Sequence, residues 1–183
     1  ETDGGHRYRG YRGLAQLPYF ELTSNGRIRC IVDGLPPIID FHAHLGMALL
    51  FAPALDWLAE TERVRHFLDC DGKDPGCELD LDVYVNANFR EEDLESLQEE
   101  SLGQVSWGSD AAQTHTIPNL LGEMDDMGIE QAVVLPIALG LPFGDDSSEL
   151  WAAAIEASGQ GERLLPGATV HPRDPDAQES LRA

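Results

Sequence analysis

Lysine is nearly missing from this chain. Lys73 is the only one, and 12 basic residues stand against 33 acids, for a formal net charge of −21. A surface so short of cations cannot displace the counterions of a phosphate backbone, which excludes nucleic acid as a partner. The one basic patch, "HRYRGYRG" near the start, is short. The acidity reads as a solubility feature or an adaptation to saline surroundings rather than as a site. Long apolar runs are missing too. A membrane helix needs about 18 to 20 apolar residues, whereas "MALLFAPALDWLA" is shorter and is interrupted by Pro53 and Asp56. No membrane association is expected.

Cysteine is scarce. Cys30, Cys70 and Cys77 do not make the even framework of a small disulfide scaffold, so a reducing, cytoplasmic setting is the default expectation. Cys70 and Cys77 bracket the turn-rich "DGKDPG", which leaves a local disulfide and two free thiols both open. Zinc at these two sulfurs would need two further ligands, and no second Cys/His pair is nearby. Residue 1 is Glu, so a removed leader or missing upstream sequence stays open.

What is present is a foldable α/β pattern. The 183 residues are 42% apolar, enough for one domain with a sizeable core. "YFELTSNGRIRCIV" places two strand-like runs around Asn25-Gly26, a hairpin signal. After "VDGLPP", whose prolines cannot donate to a ladder, "IIDFHAH" reads as a short apolar strand. Periodicity from Leu45 to about Leu68 predicts a helix begun or kinked at Pro53. Residues 69 to 114 form a long excursion containing a loop, an irregular strand and an acidic helix or turn.

Then the grammar repeats. Thr116 is the candidate N-cap of a helix with Pro118 in its first turn and Gly128 as its stop, followed by the buried strand "IEQAVVLPIA". Asp146 and Glu149 suggest a capping box for "ELWAAAIEAS", followed by a strand in "RLLPGATVHP". "DPDAQESLRA" starts a third helix. Strands alternating with helices of this length predict βαβ units and a parallel sheet. Nothing after the third strand closes the sheet or shields its last edge, so the chain is expected to be an N-terminal piece that oligomerises or aggregates when expressed alone.

Two of the six histidines, His42 and His44, sit one residue apart on the first of those strands. Alternate strand residues share a face, which puts Asp40, His42 and His44 together and Phe41 and Ala43 opposite. Two imidazoles converging on one point suit a divalent metal, and Asp40 could orient a ligand or shape the site. Catalytic sites of parallel α/β folds lie at the carboxyl ends of strands, which is where His44 stands.

His171 ends the third candidate strand, but a lone histidine before proline is more often a loop residue, so it is placed near the site rather than in it. His66 is expected on a helix face and His115 at a helix entry. The acids Asp69, Asp71, Asp74, Asp80 and Asp82 lack the register of a calcium loop and read as a solvated acidic segment.

"IIDFHAHLG" resembles the first-strand signature of the amidohydrolase superfamily. "LLGEMDDMGIEQAVVLP" and "ERLLPGATVHPRDPDAQESL" are similar to later blocks of its amidohydrolase-related (amidohydrolase 2) family. The resemblance implies a TIM-like (β/α)8 barrel, of which residues 38 to 183 would supply about three βα units, with an insertion at about 69 to 114 and an N-terminal arm and hairpin in 1 to 37. It implies metal-dependent hydrolysis, or decarboxylation, of a small-molecule substrate, with zinc as the expected ion, and it matches His42 and His44 to a ligand pair and Asp40 to the acid before it. The family's later ligand histidines and its late aspartate base have no counterpart, so this stretch alone is expected to be inactive. A homo-oligomer is expected, and a non-catalytic binding or assembly module derived from such a barrel is the rival reading.

Overall fold

A computed structural model describes residues 7–8, 11–47, 54–62, 64–65, 79–80, 90–137, 147–171 and 175–180. The chain divides into two compact units: Glu1–Pro36 with Arg65–Gly103, and Pro37–Val64 with Gln104–Ala183.

In the first unit, β1 (Arg7–Tyr8) pairs antiparallel with β5 (Leu79–Asp80). The hairpin is β2 (Phe20–Leu22) against β3 (Ile28–Cys30), in the register Phe20–Cys30, Glu21–Arg29, Leu22–Ile28. Its turn closes because Thr23 N–H donates to Arg27 O at 2.8 Å and Gly26 takes φ 80°, a left-handed value that glycine adopts without Cβ strain. The helix α1 (Glu91–Trp107), of which residues 91–103 belong to this unit, carries six acids in its first ten residues, and Arg90 just before it pairs with Glu92 at 3.1 Å.

The second unit is a mixed α/β structure around a three-stranded parallel sheet. Its strands are β4 (Ile38–Ala43), β6 (Ile129–Val134) and β7 (Leu164–Pro166), with β6 in the centre. The short α2 (Asp110–Thr114) is capped by the Ser109 hydroxyl, which accepts the Ala112 N–H at 3.1 Å. Two longer helices, α3 (Ile117–Met127) and α4 (Ser148–Ser158), both end on a left-handed glycine, Gly128 and Gly159. The N-cap of α4 falls on Ser147, one residue later than the Asp146–Glu149 box suggests. The third predicted helix is seen as the one-turn α5 (Ala177–Ser180).

The core lies on one face of this sheet. Ala43, Ala132, Val134 and Leu164 pack with Ile117 and Met124 of α3 and with Trp151 and Ile155 of α4, and all of them are buried. At about 1.5 to 3 kcal/mol per large apolar side chain, this cluster is the main source of the unit's stability. Asn119 ties a loop to it: its amide Nδ2 donates to Thr114 O at 2.7 Å and to the Thr61 hydroxyl, and its Oδ1 accepts the Thr61 N–H.

The helix expected from Leu45 to about Leu68 is not formed over its described residues. Over its described residues, the stretch from Leu45 to Arg65 is irregular chain and turn. The groups a helix would use internally have other partners. Asp56 Oδ1 accepts the Leu58 N–H at 3.0 Å, the Trp57 indole N–H donates to Gly46 O at 2.8 Å, and Trp57 O accepts the Ile117 N–H at 2.9 Å. His66, Cys70, Cys77 and most of the acidic loop, including Asp69, Asp71, Asp74 and Asp82, lie outside the described residues. Among the described residues no helix is long and apolar enough to cross a membrane.

Candidate metal centre

The site is built by strand register. Ala43 of β4 stands opposite Val134 of β6, so the next residues, His44 and Leu135, emerge side by side at the carboxyl end of the sheet. The Leu135 N–H donates to Ala43 O at 2.8 Å, which holds the two strand ends together. His44 Nδ1 lies 2.7 Å from Leu135 O. A carbonyl oxygen can only accept, so Nδ1 carries the proton and the Nε2 lone pair of the neutral ring is left free. His42 Nε2 stands 3.0 Å from that lone pair and donates its N–H to it. The rings are nearly perpendicular, at 80°.

This geometry suits a divalent ion. Two nitrogens each about 2.0 to 2.1 Å from a tetrahedral metal are roughly 3.3 Å apart, close to the observed 3.0 Å separation. A ligand histidine commonly donates its other ring N–H to a carbonyl or carboxylate, as His44 does to Leu135 O. His42 is exposed and His44 half-buried, so the pair opens to solvent on the His42 side. Among the described residues no group of three or more His, Cys, Asp or Glu is assembled to hold a metal, so the two rings would need water or other donors beside them.

Asp40 acts through the main chain: its Oδ1 accepts the backbone N–H of His42 at 2.9 Å. Strict alternation does not run through this strand. Asp40 pairs with Ala132 and Ala43 with Val134, three steps on β4 against two on β6, and the extra residue is a bulge over Phe41 and His42. Ala43 is buried in the core, whereas Phe41 is 70% exposed. His171 is half-buried beyond the end of β7 and is not gathered with His42 and His44 into a three-residue metal group. His115 lies between α2 and α3, where its carbonyl accepts the Gly46 N–H at 2.7 Å.

Two parts of the site had no mark in the sequence. Leu135 contributes a main-chain carbonyl, which any residue type would supply. Gly46, just after His44, faces Ala112 so closely that a Cβ would sit 1.9 Å from its carbonyl oxygen.

Burial lowers the His44 pKa from its ordinary 6.5 and is the largest influence; the Leu135 carbonyl opposes it by favouring the protonated ring, His42 adds to the lowering, and Asp40 opposes it. The folded state therefore binds a proton at His44 less readily than the unfolded state. The associated stability is complete above the unfolded pKa of about 6.5 and is lost as pH falls below it through the folded value. In metal-free protein, the denaturation midpoint should fall from pH 7 to pH 5 more steeply in the wild type than in His44→Gln. Parallel midpoint curves would remove His44 as the source.

Comparison with protein-family models, with curated proteins and with solved structures gives no match.

Proposed function

We propose that this chain carries the first-strand part of the metal centre of an amidohydrolase-related hydrolase built on a (β/α)8 barrel, with His42 and His44 as ligands to a divalent ion, zinc by preference. The reading is carried by one observation: the two Nε2 atoms converge to 3.0 Å while Leu135 O fixes the tautomer of His44. It is supported by the parallel strand order and by the position of both rings at the carboxyl end of β4, the end at which such folds place their chemistry.

The chemistry a bound ion supplies is activation of water for attack on a C–N or C–O bond of a small-molecule substrate. His44 presents a lone pair in a fixed direction. His42, exposed, exchanges its ring proton with solvent, and its backbone is held by the Asp40 carboxylate.

The test is a zinc titration of the metal-free protein against a chromophoric chelator. One ion per chain should bind saturably at pH 7.5 and be released by pH 5, where protons compete with the ion for its ligands. No saturable uptake, or uptake unchanged at pH 5, would overturn the reading.

A further inference from the structure

The third strand ends beside the residue whose carbonyl holds His44. Just past the end of β7, the Gly167 N–H donates to Val134 O at 2.8 Å, which continues the β6–β7 ladder to the carboxyl edge. A side chain at Gly167 would be crowded. A Cβ there would lie 3.0 Å from Leu135 Cδ2, 3.2 Å from Val134 O and 3.6 Å from Pro136 Cδ. These contacts surround the peptide between Val134 and Leu135 and the Leu135 side chain. The carbonyl that follows is the one receiving the Nδ1–H of His44, at 2.7 Å.

We infer that Gly167 is a positioning residue for the metal pair: its missing side chain lets Leu135 seat its carbonyl against His44 and so keeps the His44 Nε2 lone pair aimed at His42. This rests on the reading of His42 and His44 as ligands. The physical basis is the crowding around Leu135, whose N–H is tied to Ala43 O at 2.8 Å, so that a methyl at Gly167 displaces its side chain and carbonyl against that anchor. A displacement of a few tenths of an ångström is enough to misalign a hydrogen bond as short as this one. The φ of Gly167 lies outside the left-handed region, so alanine there meets the packing obstacle and no backbone penalty.

The experiment compares Gly167→Ala, Leu135→Ala, the double variant and Gly161→Ala, the last at a position with no neighbour within 4 Å. Zinc affinity is read by chelator competition at pH 7.5. The His44 tautomer is read in the metal-free protein from the ring 15N shifts. Gly167→Ala should weaken zinc about 10- to 100-fold, the range for loss of a group that orients a ligand histidine. It should also mix the two tautomers of His44, while Gly161→Ala changes neither. Leu135→Ala keeps the main-chain carbonyl and removes the side chain nearest the Gly167 Cβ position, so adding it to Gly167→Ala should recover most of the loss by making room for the new methyl.

Gly167→Ala binding zinc like the wild type, an unaltered His44 tautomer, or a double variant no better than Gly167→Ala would each overturn the inference. Zinc uptake by the wild type that ignores His42 and His44 would instead fail the functional reading, and the tautomer measurement needs no metal, so the two failures are distinguishable.

Discussion

Replacing His42 and His44 together by alanine should weaken zinc binding at least about 100-fold, to the level of adventitious sites. Losing only an outer group that orients a ligand costs about 10- to 100-fold, and here both ligating rings would go. The single variants should not be equal. His44 is half-buried, with its tautomer held by Leu135 O, so its lone pair is set in place before an ion arrives. His42 is exposed and must exchange the proton it donates to His44 Nε2. His44→Ala should therefore lose more affinity than His42→Ala. Chelator competition on the three variants, with metal content by mass spectrometry, gives the order. Zinc content in the double variant equal to that of the wild type would remove these residues from the site.

Gly46→Ala should destabilise the second unit by about 3 kcal/mol or more, toward the upper end of what overpacking costs. A Cβ at this position would stand 1.9 Å from Ala112 O, 2.9 Å from Ala112 C and 3.2 Å from Leu55 Cδ1. The first two are backbone atoms and cannot swing aside. Relief requires the exit of β4 to separate from α2, which strains the Gly46 N–H to His115 O bond and the Trp57 indole bond to Gly46 O. Urea unfolding followed by tryptophan fluorescence measures the loss. A midpoint unchanged from the wild type would mean that the two segments do not meet in solution.

Much of the fold was legible in local pattern. Gly128 and Gly159 stop helices because a left-handed C-cap favours glycine, and Asn25-Gly26 closes a hairpin for a related reason. The strand "IIDFHA" was readable from its apolar, β-branched start and its flanking prolines. Over its described residues the expected helix after it is not formed, because Asp56 closes a local turn on the Leu58 N–H and Trp57 finds tertiary partners in Gly46 and Ile117. Periodicity reports which side chains can be buried together and not where the backbone bonds.

The sequence by itself determined that two imidazoles lie on one short strand entering a βαβ array, and that acids outnumber bases 33 to 12. Tertiary structure alone decided how the two rings face each other. The bulge between Asp40 and Ala43 interrupts the alternation from which a shared face was expected, and the tautomer of His44 depends on a carbonyl 91 residues away in the chain. A main-chain oxygen carries no residue identity, and strand register is a property of pairs of segments. Both become readable only once β4 and β6 lie side by side.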